Sequence, residues 1–343
     1  MTRILVRAPG WLGDAVMAIP AMAAIRRAHP EAHLTVAAPP SVAALFTQAT
    51  PVEQDAILAL PARNREIGKA IASGNFQAGI LFPNSFRSAW QMKRAGIVER
   101  WGYRAAGRGW LLTRTVARPP RNAHVHQADY YRALVRGLGI ECSDAPPAIA
   151  PSPGSLQQAD ELLRRHRWPP GTKFVAMMPG AAYGEAKQWP ATRMAEVAAR
   201  LVREHDVRCL ILGAESDRPA ARAIESWLRE RAPKEASSVL DVTGRTSLGV
   251  LVGLLSWATA CVSNDSGGMH VAAALNRPVV AVFGPTDERA TRPIGNHAVI
   301  TEPVFCRPCM LRDCPIDHRC MKRIEPGRVF DALSARLGSS GDA

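Results

Sequence analysis

The run Gly10-Trp11-Leu12-Gly13-Asp14 follows directly on the apolar stretch Ile4–Arg7. Two glycines let the chain turn tightly there, and Asp14 falls at or near the N-cap of the helix that follows. A carboxylate so placed either caps that helix or, at the mouth of a cleft, takes a proton from an attacking hydroxyl. Lys187 stands behind the stretch Pro179-Gly180-Ala181-Ala182-Tyr183-Gly184. Backbone N–H groups and an ammonium acting together suit a diphosphate, with Gly180 at the start of that loop. The Walker spacing G-x-x-x-x-G-K-[ST] is absent, and the plainer reading is a surface lysine beside Trp189-Pro190. In Asn264-Asp265-Ser266-Gly267-Gly268-Met269-His270, residues Ser266, Gly267 and Gly268 open a helix whose first amides form an anion site. Asp265 would repel a phosphate and is read as a hydroxyl binder, while His270 needs no role beyond facing the sheet. Glu215 and Asp217 form an acidic pair after another strand, where such folds hold a ribose diol.

A further cluster is Cys306-x2-Cys309-x4-Cys314-x5-Cys320, with His318 inside it. Its ligand types and C-x-x-C spacing are compatible with zinc. The last two intervals are not those of a standard ribbon, and Pro308 and Pro315 equally mark a tight, reduced, packed loop. Both readings stay open at this point.

These clusters need elements to position them, and short β-rich apolar runs alternate with amphipathic stretches along the whole chain. That is the grammar of parallel α/β architecture. Strands are predicted over Ile4–Arg7, His33–Ala37, Gly79–Phe82, Phe174–Met178, Arg208–Leu212, Ala260–Ser263 and Val279–Phe283. Helices are predicted to about Ala28, over Leu156–His166 and from about Ala191. The grammar restarts at Phe174 after the proline-dense stretch Ala145–Pro153, which reads as connecting chain. Two Rossmann-like domains facing across a cleft follow: 1–155 for an acceptor, a linker over about 145–172, 172–325 for a nucleotide sugar, and a helix and tail over 326–343. A length of 343 residues fits two domains better than one.

Composition narrows the class. Hydrophobic residues at 47% and charged residues at 21% exclude a disordered chain, and no apolar run reaches the roughly 18 residues of a membrane span. The charged N-terminus reads as a strand and not as a signal peptide, and seven cysteines, an odd number, point to a reducing cytoplasm. The net charge of +13 is uneven: residues 1–170 hold 21 Lys and Arg against 11 Asp and Glu, and the rest hold 22 against 19. Within 87–136 lie eleven basic residues, among them Arg87, Arg94, Arg104, Arg108, Arg121 and Arg132, opposed only by Glu99 and Asp129. Such a stretch is either a solvated basic face or a field that draws in an anionic partner. No aromatic stacking platform or nucleic-acid motif is legible in it, so nucleic acid is not the expected partner.

Taken in order, Gly10–Asp14, Pro179-Gly180 with Lys187-Gln188-Trp189-Pro190, Ser263–His270 and Phe283-Gly284-Pro285-Thr286 resemble the GT-B heptosyltransferases of glycosyltransferase family 9. The similarity runs from Ile4 to about Arg323. The cysteine run with Arg307-Pro308, Pro315 and His318–Met321 resembles the branch that adds the second heptose. The resemblance implies an inverting transfer of L-glycero-D-manno-heptose from ADP-heptose to the first heptose of the lipopolysaccharide inner core. It implies Asp14 as catalytic base, and Lys187, Asp265, Ser266, Gly267, Gly268, Gly180, Asp217 and Glu215 as donor contacts. Gly13, Arg87, Arg94 and Arg104 are expected to face the acceptor, heptosyl-Kdo2-lipid A, at the inner face of the cytoplasmic membrane. No cofactor is implied beyond the donor substrate, and no D-x-D pair for a catalytic metal is present. A transferase with another nucleotide sugar or acceptor, such as the enzyme that adds the first heptose, and a basic nucleotide-binding module without turnover are the rival readings.

Overall fold

The computed structural model describes residues 2–120 and 123–338; Arg121 and the tail from 339 lie outside the described residues. The chain divides into two units between Ala150 and Pro151. In the first, β1 (Arg3–Arg7), β2 (His33–Ala38), β3 (Ala56–Ala59), β4 (Ala78–Leu81), β5 (Glu99–Tyr103) and β6 (Arg114–Val116) form one sheet, ordered β3-β2-β1-β4-β5-β6. In the second, β7 (Phe174–Met178), β8 (Arg208–Ile211), β9 (Val239–Asp241), β10 (Ala260–Asn264), β11 (Val279–Phe283) and β12 (His297–Thr301) are ordered β12-β11-β10-β7-β8-β9. Every neighbouring pair in both sheets is parallel.

Counted from the first strand of each half, both orders read 3-2-1-4-5-6, the doubly wound plan of dinucleotide-binding folds. In that plan the winding reverses between strands 1 and 4, which opens a crevice at their carboxyl ends. The crevice falls after β1 and β4 in the first unit and after β7 and β10 in the second. The loops after β1, β7 and β10 among these are rich in glycines, and they carry Asp14, Lys187 and Asp265.

Parallel strands require crossover helices that cover the sheet, so the central strands become continuous apolar runs. Thus β4, β7, β10 and β11 are buried throughout. The helix Leu12–Ala28 buries Gly13 and all of Ala15–Ile25, and its many alanines let the helix Gln127–Gly137 lie against it. The helix Pro153–Arg165 begins three residues earlier than the sequence indicates. Ser152 caps it by accepting the Ser155 N–H at 3.3 Å, and Pro153 sits in the first turn, where its missing N–H costs nothing. It packs on the helix Leu248–Trp257 of the same unit.

The basic stretch is not a uniform solvated face. Arg108 is wholly buried. Its guanidinium donates to the carbonyl oxygens of Tyr103 at 3.1 Å, Ser85 at 3.2 Å and Pro83, and to the Ser88 hydroxyl at 3.3 Å. Burial lowers its pKa to about 10, so it stays charged at neutral pH and ties the loop after β4 to the chain after β5. Arg132 is also buried, paired with Asp129 at 2.6 Å and donating to the Ala145 carbonyl at 2.7 Å. Among the described residues, no helix is long and apolar enough to cross a membrane.

Candidate active site

The first helix starts at Leu12, with Trp11 in extended conformation as its N-cap. Asp14 is therefore the third residue of the first turn and not the cap. A carboxylate there is favoured by the positive end of the helix dipole. The hydroxyl of Tyr131, from the helix Gln127–Gly137, donates to Asp14 Oδ1 at 3.1 Å. Tyr131 is 4% exposed, and burial, with the adjacent Asp14 charge, holds its pKa well above the usual phenol range. It is a neutral donor at any physiological pH. The Phe82 ring packs on it with centroids 5.6 Å apart, and Asn84 Nδ2 donates to the neighbouring Tyr130 hydroxyl at 2.7 Å. The end of β4 is thereby fixed to the group that orients Asp14. Asp14 itself remains partly exposed.

Sequence reasoning passed over Arg7, the last residue of β1. Its Nη1 is buried and has no hydrogen-bond partner among the described residues, and burial lowers its pKa to about 10. A buried cationic donor without a partner is costly, and a bound anion would offset that cost. The available signal was a charge closing an otherwise apolar strand at the switch point. Of the expected acceptor contacts, Gly13 is buried within the first helical turn, whereas Arg87, Arg94 and Arg104 are exposed.

In the second unit β10 delivers Asp265 and Ser266 to the mouth of the helix Gly267–Ala274, whose N-cap is Ser266. Its opening amides have no intrahelical partners, an arrangement that favours negative charge. Lys187 and Asp265 were expected to meet different parts of a ligand, but they are joined to each other. Lys187 Nζ lies 2.5 Å from Asp265 Oδ2, with the two side chains 12% and 6% exposed. The same oxygen accepts the Thr286 hydroxyl at 2.6 Å, and the Lys187 ammonium lies 4.6 Å from the Tyr183 ring centroid. An ammonium has three donors, so this pairing leaves capacity for a phosphate oxygen. The buried Asn264 joins the loops after β7 and β10, donating to the Pro179 carbonyl at 2.6 Å and accepting the Trp189 N–H at 3.2 Å.

Gly180 is a glycine because of its neighbour: a Cβ there would lie 2.1 Å from the Asp217 carboxyl carbon. Asp217 also accepts the Ala214 N–H at 2.8 Å. Glu215 turns the other way, against Gly244, and pairs with Arg218 at 3.0 Å. The acidic pair is thus divided, and only Asp217 faces the loop after β7.

Among the described residues, no group of three or more His, Cys, Asp or Glu side chains is placed to hold a metal ion. The cysteine run is largely exposed, with Cys320 its one buried residue between 306 and 320, and it braces the loops beside it. Arg307 donates to the Gly284 carbonyl at 2.6 Å and the Thr286 carbonyl at 3.1 Å, and the Met310 N–H donates to Pro285 at 2.9 Å. The Tyr183 hydroxyl donates to the Met310 carbonyl at 2.8 Å, and the Ala186 N–H to Arg312 at 3.0 Å. One segment therefore ties together the loops that carry Lys187 and Thr286, both partners of Asp265. The buried thiols of Cys209 and Cys261 are pushed up to about 12. Burial also raises the Cys314 thiol, but the N–H groups of Ile316, His318 and Asp317 outweigh it and bring it below its ordinary value. Brief alkylation of the native protein at neutral pH should label Cys314 well before Cys209 or Cys261, read by peptide mass spectrometry; early labelling of Cys209 would contradict the buried β8.

Two sheets of this order, one offering a partly exposed carboxylate and the other an anion-receptive helix mouth braced by a lysine, have the parts of a GT-B glycosyltransferase. The family model for glycosyltransferase family 9 (heptosyltransferase) matches residues 64–319, and the chain belongs to that family. Lipopolysaccharide heptosyltransferase 2 of Escherichia coli K12 is 28% identical over 347 residues, covering 98% of this chain and 98% of that protein. Lipooligosaccharide heptosyltransferase 2 of Haemophilus ducreyi is 30% identical over 358 residues, covering 98% and 99%. The solved structure of the E. coli ADP-heptose lipopolysaccharide heptosyltransferase II matches with a TM-score of 0.84 at 26% identity, covering 99% of each chain. The chain is a glycosyltransferase of two Rossmann-like units.

Proposed function

We propose that this enzyme moves L-glycero-D-manno-heptose from ADP-heptose onto the first heptose of the lipopolysaccharide inner core, with inversion, on the cytoplasmic side of the inner membrane. The observation that carries this reading is the relationship to heptosyltransferase 2 proteins over 98% of the chain. The first unit takes the acceptor, heptosyl-Kdo2-lipid A, and the second takes the donor. Asp14 accepts the proton of the acceptor hydroxyl, whose oxygen bonds to the anomeric carbon as the bond to the diphosphate breaks and ADP leaves with the electron pair. The amides of Ser266, Gly267 and Gly268 and the Lys187 ammonium meet the charge that grows on the leaving diphosphate. Asp265 holds Lys187 in place and takes a sugar hydroxyl, and Asp217 takes the ribose. Arg7, Arg87, Arg94 and Arg104 receive the acidic and phosphorylated groups of the acceptor. No cofactor beyond the donor substrate is required.

Tyr131→Phe keeps the ring and removes the donor to Asp14. Such a hydrogen bond to a charged group contributes about 1.5–3 kcal/mol, so kcat/KM should fall about tenfold or more with ADP affinity unchanged. Full activity in the Tyr131→Phe enzyme would strip Tyr131 of any orienting role. The proposal as a whole is tested by mass-spectrometric transfer from ADP-heptose to Kdo2-lipid A and to its mono-heptosylated form. Addition to the second alone is expected. Addition to the bare acceptor would assign the first-heptose reaction instead, and failure with both would refute the heptose reading.

A further inference from the structure

The helix Phe86–Arg94 buries Ser88, Ala89, Gln91 and Met92 and leaves Phe86 and Trp90 outside. Trp110, from the short turn Gly109–Leu111, joins them. The three rings are 42%, 40% and 62% exposed, with centroids 6.1–6.5 Å apart. The Lys93 ammonium lies 4.8 Å from the Trp110 ring centroid, and Arg87 and Arg94 are exposed on the same helix. The expectation that 87–136 lacks an aromatic platform is therefore corrected: Trp110, distant in the chain from Phe86 and Trp90, completes one with them. No acid occurs from 86 to 98. The next one, Glu99, accepts the Trp101 indole N–H and the Thr113 hydroxyl, each at 2.9 Å.

An aromatic cluster this exposed, flanked on its own helix by Arg87, Lys93 and Arg94 with Glu66 on the adjoining helix Asn64–Ala72 paired to Arg63, is costly to leave in water. Tryptophan beside lysine and arginine is what the boundary between lipid headgroups and acyl chains accommodates: rings sink to the boundary while the cations meet anionic headgroups. We infer that Phe86, Trp90, Trp110 and Lys93 form a docking surface for an anionic lipid bilayer. This deepens the functional proposal and rests on its reading that the acceptor is a membrane lipid. Phe86 opens its helix immediately after the loop that closes β4, at the carboxyl end of the central strands, where Asp14 follows β1. Docking here holds the bilayer beside that end of the sheet.

The test is co-sedimentation with vesicles of phosphatidylcholine alone and of phosphatidylcholine mixed with phosphatidylglycerol. The wild-type protein should partition onto the mixed vesicles and far less onto neutral ones, since each cation at an anionic surface raises partition roughly fivefold. Trp90→Ser with Trp110→Ser should reduce partition about tenfold or more. Transfer to a delipidated, water-soluble acceptor should persist, which shows the variant folded. Lys93→Glu, a single exposed change, should weaken vesicle binding and leave the soluble reaction intact; it decides the matter if the double variant misfolds. Wild-type protein that ignores anionic vesicles, or variants that bind them as wild type does, would overturn the inference. So would retention on a single-stranded oligonucleotide through the same tryptophans without vesicle binding. Vesicle binding with no transfer to any heptose acceptor would sink the functional proposal and leave this surface standing.

Discussion

Asp14→Asn should lower the turnover of heptose transfer by about a thousandfold and leave ADP affinity at the wild-type value. General-base assistance contributes about 10²–10⁴ in rate, and an amide cannot take the proton. The substitution is close to isosteric, and an amide oxygen still accepts the Tyr131 hydroxyl, now 3.1 Å from Oδ1. Loss of the favourable charge in the first helical turn costs about 0.3–1 kcal/mol, too little to unfold the unit. Steady-state transfer kinetics and calorimetric ADP titration, taken together, read the two halves of the prediction. Turnover near wild type would remove Asp14 as the base.

The second large effect lies at the Lys187–Asp265 pair. Both side chains are nearly buried, so removing one charge strands the other, at a cost of about 3–5 kcal/mol. Lys187→Met keeps the aliphatic stem, and it should lower both unfolding stability and ADP-sugar affinity. The affinity loss should be about 10- to 150-fold, the value of a charge-assisted phosphate contact at about 1.5–3 kcal/mol. Asp265→Asn should destabilise comparably, because it takes the opposing charge from a nearly buried ammonium. The double variant should recover much of the stability and none of the affinity. Denaturant unfolding of all four proteins gives the coupling, and costs that simply add would mean the two residues do not interact.

How far the fold was legible follows from where each strand lies in its sheet. The seven strands foreseen are β1, β2, β4, β7, β8, β10 and β11, all interior and mostly apolar. The five missed include all four edges, β3, β6, β9 and β12, where one side needs no apolar cover. The fifth, β5, reads Glu-Arg-Trp-Gly-Tyr, and its polar start hides it. The loops at the switch points were legible because glycine, aspartate and serine are concentrated there. Pairings across the chain were not: Lys187 with Asp265, Tyr131 with Asp14 and Asp217 with Gly180 join residues from different loops, and spacing carries no trace of them. The aromatic patch was missed for the same reason, since Trp110 reaches Phe86 and Trp90 only after the chain has passed through β5.

The way each sheet is completed bears on synthesis. Every strand of the first sheet is translated before any strand of the second, so the first unit can close its ladder while the rest is still being made. The second unit has no such early finish. Its helix Pro326–Gly338 packs on the helix Ala191–His205 and on β10 and β11, and Val329, Phe330 and Leu333 fill the same core as Val280 and Val282. Until residues 326–338 leave the ribosome, the apolar face awaiting them stays open to water. That interval, between a finished first half and an unfinished second, is when a nascent chain of this protein is most exposed to chaperones and to aggregation.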